Sequence, residues 1–267
     1  MIQTIQGKSV IVHADDFGLH PAINAGIEAA HRDELVSSAS VMPLGPAFGD
    51  ALRRIKSLPK LDLGLHFTLV GVPSLPPTLG AFLSAYGRGQ MPARAIESHL
   101  QSQFDALRGL PVSHIDSHQH LHALPSVMRI VCRFASHHGI PAIRLPVDGP
   151  PFAPVPPGRR AQAAALAVMA RLSRRYITAY GLHTSNHFSG MAVSGHLTGP
   201  ILAAYLQNAR PGLTEIVCHP GADNHALSQS FDWGYDWQGE LAALCSAEAR
   251  AAFINANAEI IGWRDSA

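Results

Sequence analysis

Short β-branched runs alternate along this chain with longer stretches of helical periodicity, and that alternation sets the expected architecture. Strands are expected at Ser9–His13, Ser37–Met42, Leu61–Phe67, Val112–Asp116, Ala142–Leu145, Glu215–His219 and Glu259–Gly262, with a weak one near His183–Phe188. Helical patterns fill the intervals at Pro21–Glu34, Pro46–Leu58, Arg94–Leu107, Pro125–His138, Ala161–Tyr180, Pro200–Asn208 and Leu241–Asn255. Pro21, Pro46, Pro125 and Pro200 stand where first helical turns begin, and Gly109 and Gly139 follow helical patterns as stops. Strand–helix units in succession imply a parallel sheet, and seven or eight of them imply an α/β fold of the distorted (β/α) barrel type. Two Gly/Pro-rich segments, Gly71–Pro92 and Pro146–Gly158, break the rhythm and read as long loops near a site. With no fixed repeat and no linker, residues 1–267 read as a single catalytic domain.

Charge adds an exclusion. Twenty basic residues against nineteen acidic ones create no global field, so nucleic acid is not an expected partner. Cys132, Cys218 and Cys245 have no short spacing, which argues against a disulfide framework and a thiolate zinc site and fits a reducing cytoplasm. Met1 to Gly7 are polar, Ser9 to His13 is too short for a signal-peptide core, and Ala163 to Ala170 falls far below the roughly twenty apolar residues of a membrane span.

Histidine changes the picture, because sixteen are present and they cluster. His13-Ala14-Asp15-Asp16-Phe17-Gly18 sets two carboxylates side by side at a strand end, where they repel unless a cation or a shared proton relieves them; capping of the following helix is the alternative. His66, the group His114, Asp116 and His118, and His219 all fall at or just past the carboxyl ends of expected strands, where barrel active sites lie. In an extended strand His114, Asp116 and His118 share a face, while His120 and His122 lie beyond it. Carboxylates and neutral imidazoles suit a divalent cation, and which of them bind it stays open at this level, as does a histidine-rich surface loop.

The motifs His13–Gly18, Gly64-Leu65-His66-Phe67, His114–His118 and Val217-Cys218-His219-Pro220 resemble, in order and spacing, the YdjC-like carbohydrate deacetylases, the ChbG/HpnK family. That resemblance implies a distorted β/α barrel that removes acetyl from N-acetylated sugars with one divalent metal, zinc or magnesium. It also implies Asp16, His66 and His118 as metal ligands, Asp15 as the base and His219 as the acid that protonates the departing amine. His13, where many relatives have Asn, and Gly221, where Ala is frequent, depart from the pattern around the substrate and the residues behind the metal set.

Expected substrate contacts are Phe67, Arg144, Trp233 and Trp237. The stretch Phe231–Trp237 offers aromatic faces that stack sugar rings, with a folded loop or an interface as the alternative. Arg144 ends another strand, where it would orient Asp15 or Asp116 or serve as an ordinary surface residue. Arg159, Arg160, Arg171, Arg174 and Arg175 beside Leu166, Met169 and Leu172 raise transient contact with a membrane surface, although outer barrel helices look similar. The substrate is therefore a small glycan or a glycolipid, a chito-oligosaccharide or an N-acetylglucosaminyl hopanoid, and a homodimer stays open. A phosphoesterase, or a sugar-binding relative without turnover, is the competing reading.

Overall fold

The computed structural model describes residues 7–266, so most of the polar N-terminal segment lies outside the described residues. Its strands are β1 (Lys8–Phe17), β2 (Ser38–Val41), β3 (Asp62–Phe67), β4 (Val112–Ser117), β5 (Ala142–Ile143), β6 (His187–Ser189), β7 (Gly212–Cys218) and β8 (Ala258–Ile260). All pairings are parallel in the order β5-β4-β3-β2-β1-β7-β6, and β8 adds beside the lower end of β1. The sheet curls into a distorted barrel, as expected. Between β5 and β6 no continuous ladder forms; that seam is crossed by two isolated bridges, Ala142 to His183 and Asp148 to Phe188.

Strand parity divides the interior from the helical shell. Val10, Val12, Ala14, Ala39, Val41, Leu63, Leu65, Phe67, Ile115 and Ile143 join the large core with helix residues such as Ile23, Ile27, Leu100 and Val131. Residues of opposite parity point into the curl, where Ile11, Ala142 and Leu213 pack with Trp263 as a separate small apolar cluster. Above that plug the interior is polar: His13, Ser40, His66, His114, Asp116, Arg144 and Glu215 are all at most 1% exposed.

The shell is formed by α1 (Pro21–Arg32), α2 (Phe48–Ile55), α3 (Leu79–Gly87), α4 (Ala93–Ala106), α5 (Pro125–His138), α6 (Pro157–Ala179), α7 (Gly199–Gln207), α8 (Asn224–Ser230), α9 (Trp237–Leu244) and α10 (Ala247–Ala256). Three differ from the sequence expectation. The Gly71–Pro92 segment is not a plain loop but contains α3, whose N-cap Thr78 accepts the Ala81 N–H. Likewise α8 starts at the cap Asp223. The expected Leu241–Asn255 helix is two helices, because the Ser246 side chain caps a fresh start by accepting the Ala249 N–H. Among the described residues no helix is long and apolar enough to cross a membrane.

Candidate metal centre

Two adjacent residues on a strand face opposite ways, so Asp15 and Asp16 should not share a site. They do because the chain breaks step: the register of β1 against β2 shifts between Ala14 and Phe17, and Asp16 adopts φ +68°. Aspartate tolerates this left-handed conformation better than most residues. Asp15 thus keeps the interior parity of Ile11 and His13, while Asp16 is turned over onto the rim.

There Asp16 meets His66 from the end of β3 and His118 from the 3-10 turn after β4. Asp16 Oδ1 lies 2.9 Å from His118 Nδ1 and 3.2 Å from His66 Nε2, and one donor atom from each of the three residues falls within 4.8 Å of the others. Behind His66, its Nδ1 is 2.9 Å from Asp116 Oδ1 and 2.8 Å from Ser40 Oγ, and Ser40 donates to Asp116 Oδ2 at 2.9 Å. An ionised Asp116 can only accept, so Nδ1 carries a proton and Nε2 is the atom presented to Asp16. Burial disfavours a charged His66, but Asp116 first and then Asp16 and Asp15 override it and push its pKa up to about 10. Asp16, Asp15 and Asp116 thus place a surplus of negative charge around this ring, which a divalent cation on the same donors would balance. Two imidazoles and a carboxylate, anchored from behind, fit such an ion.

A second cluster, His13, Asp15 and Asp116, also has metal-ligand spacing. It already holds a cation, the guanidinium of Arg144. Arg144 donates to Asp15 through both terminal nitrogens at 2.9 and 2.8 Å, approaches Asp116 Oδ2 at 2.7 Å and donates through Nε to Glu215 at 2.7 Å. Burial works against ionisation of Asp15 and of Asp116, yet Arg144 prevails and holds both carboxyls below the usual range.

His219, just past β7, places Nε2 4.0 Å from Asp15 Oδ2, and its Nδ1 has no hydrogen-bond partner among the described residues. Asp15, Asp16, His66, His118 and His219 open together onto a cleft of about 500 Å³. Trp233 and Tyr235 form one wall, Trp233 standing 5.9 Å from the His118 ring between centroids. Leu79, Ala163, Leu166 and Met191 form an apolar flank, and Arg159 lies over the Tyr235 ring while donating to the Ser194 carbonyl. Pro77 to Leu79 put the first Gly/Pro-rich segment beside the site.

Three expected substrate contacts do not reach this cleft. Phe67 follows His66 directly, so parity sends its ring outward into the helical core, where it is fully buried. Trp237 is buried beneath Gly221, whose N–H donates to the Trp237 carbonyl. Arg144 is a fully buried ion-pair centre that orients Asp15 and Asp116. Trp233 does line the cleft. Tyr235, from the same aromatic stretch, and Arg159, from the basic helix α6, also line the cleft, and nothing in their sequence surroundings marks either as facing it. His114 faces inward as its parity requires but stacks on Trp263 at 5.3 Å below the ligand group, with its ring so close to β3 that a Cβ on Gly64 would stand 2.1 Å from His114 Nε2.

Among known proteins, the chain spans nearly the full length of its relatives. The chitooligosaccharide deacetylase of Klebsiella pneumoniae (strain 342) is 31% identical over 278 residues, covering 97% of this chain and 99% of the relative. That of Citrobacter koseri is 30% identical over 257 residues, covering 92% and 94%. A crystal structure of an Enterococcus faecalis V583 protein superposes with a TM-score of 0.78 at 18% identity over 98% of this chain and 99% of the other, which shows a shared fold. A sequence model of the family described as "YdjC-like protein" matches residues 9–255. By length of match, by motif and by barrel, this chain is a member of the YdjC-like family.

Proposed function

We propose that this carbohydrate deacetylase hydrolyses the N-acetyl group of an N-acetylglucosamine unit in a chitooligosaccharide, with one divalent cation held by Asp16, His66 and His118. The observation that carries this reading is the meeting of that donor set with Asp15 and His219 on one cleft, brought together from the ends of β1, β3, β4 and β7. A bound cation supplies Lewis-acid polarisation of the acetyl carbonyl. The donor set suits zinc better than magnesium, which prefers oxygen ligands.

The chain's own residues supply the proton movements. Asp15, kept ionised by Arg144, takes a proton from the water that attacks the acetyl carbon. Because both its oxygens are held by the guanidinium, the carboxylate is fixed in orientation. The C–N bond then breaks, and His219 Nε2 gives the proton that lets nitrogen depart as an amine, leaving acetate. Trp233 and Tyr235 offer ring faces to the sugar.

The competing phosphoesterase reading calls for a second ion and for cations to hold phosphate. Arg144 occupies the second acidic cluster, which speaks against it. A glycolipid substrate such as an N-acetylglucosaminyl hopanoid is favoured by a different observation: Leu79, Ala163 and Leu166 flank the cleft, and Val168 and Leu172 lie exposed on the same helix as the last two, α6. Acetate release from N-acetylated chitooligosaccharides and from a detergent-solubilised glycolipid, after chelation and re-addition of zinc or magnesium, tests all of this. The expected result is metal-restored release from the oligosaccharide without phosphate release from generic esters. Retained sugar binding with no turnover under any ion would favour the non-catalytic reading instead.

A further inference from the structure

Glu240, on α9, is 1% exposed and pairs with no cationic side chain within salt-bridge distance among the described residues. Its carboxylate is enclosed by backbone amides instead. Oε2 accepts the His219 N–H at 2.5 Å and Oε1 accepts the Leu197 N–H at 3.0 Å. Burial pushes the Glu240 pKa up, opposed by His219 and by these amides.

The two donors come from two separate loops. One begins at His219 after β7; the other, between β6 and α7, supplies Met191 and Ser194 to the cleft wall. The second loop is also fixed from the opposite side, since Gly195, at φ +78°, lies so close to Tyr235 that a Cβ there would stand 2.1 Å from the ring, and its carbonyl accepts the Asp236 N–H. Only a group with two acceptor oxygens and no donor satisfies this cradle. Glutamine would turn an N–H toward one of the amides and leave that buried donor unpaired.

We infer that Glu240 is a positioning residue which holds the His219 backbone and the Gly190–Thr198 wall in register, so that the imidazole stands at the amine side of the cleft. This rests on the acid role proposed for His219. The side chain of His219 gains no orientation from Nδ1, which has no hydrogen-bond partner among the described residues, so its placement depends on packing against the Tyr235 ring and on the backbone that Glu240 grips. Displacement of a catalytic group by about 1 Å costs on the order of 100-fold in rate.

The test uses the full-length, metal-loaded protein and compares wild type with Glu240→Gln and Glu240→Asp. For Glu240→Gln, kcat on the N-acetyl amide should fall about 10–100-fold. An activated acetyl ester, whose leaving group needs no proton, should lose less than half of that on a logarithmic scale. Metal content should be unchanged, and amide hydrogen exchange should accelerate in the segments around 195–197 and 219 but not in β1 or β3. Glu240→Asp, which retains both oxygens, should recover part of the amide-to-ester ratio and serves as the reporter if the Gln variant does not fold. Equal losses on amide and ester, or unchanged exchange in both loops, overturn the inference. If wild type releases acetate from no acetylated sugar, the proposed function fails while the exchange comparison still decides the role of Glu240.

Discussion

The two ends of the barrel interior are built on opposite principles. At the lower end Trp263, Ile11, Ala142 and Leu213 form an apolar plug. At the upper end three aspartates, Glu215, Arg144 and several imidazoles are buried together. A hydrophobic plug gains stability from area removed from water. A buried ionic cluster gains little or nothing net over an apolar core of the same volume, and becomes costly as soon as one member is removed. The lower end therefore holds the barrel together, and the upper end draws on that stability to keep charges where chemistry needs them.

Removing the central cation should break this arrangement most severely. Arg144→Met leaves Asp15 and Asp116 buried without their partner and should cost about 3–5 kcal/mol, with loss of acetate release, measurable by urea unfolding alongside activity. Among the rim carboxylates, Asp16→Asn should lose bound metal, whereas Asp15→Asn should keep it and lose about 10²–10⁴ in turnover. Elemental analysis of the two variants separates the roles, and equal metal loss would merge them. The plug gives the converse result: Trp263→Ala should cost about 3–5 kcal/mol of stability while kcat of the folded fraction stays within roughly threefold.

The smallest effect lies outside both ends. Burial raises the pKa of Asp148, after β5, to about 6 against the backbone amides that lower it. Between the ordinary carboxylate pKa and 6 the unfolded chain releases this proton and the folded chain retains it. Stability should therefore fall as pH rises from about 4 to 6, by up to about 3 kcal/mol, and the Asp148 contribution should be flat above. Asp148→Asn should remove that slope, as seen by thermal unfolding across the range.

Much of this was legible in residue order. The strand and helix alternation gave the barrel, and the placement of His66, His118 and His219 at strand ends gave the rim. Parity alone, applied to His66 and Phe67, would have excluded Phe67 from the cleft. Arg144 shares the interior parity of Ala142, which directs a guanidinium at the end of β5 inward. The step that brings Asp16 beside Asp15 depends on a register shift and a left-handed residue, for which the sequence carries no mark beyond aspartate's tolerance of that conformation. Glu240 sits in a short helix with nothing to distinguish it from a solvated glutamate, and its two amide donors come from distant loops.

The seam between β5 and β6 has a consequence for the shape of the catalytic mouth. A ring of strands with an unzipped joint cannot fix its own diameter through backbone pairing. From the β5 side of that joint, the Arg144 side chain reaches Glu215 on β7, Asp15 on β1 and Asp116 on β4, and lies 5.7 Å from the Phe188 ring centroid on β6. It acts as the hub of a wheel whose rim is split, setting the spacing that unbroken hydrogen-bond ladders set in closed barrels.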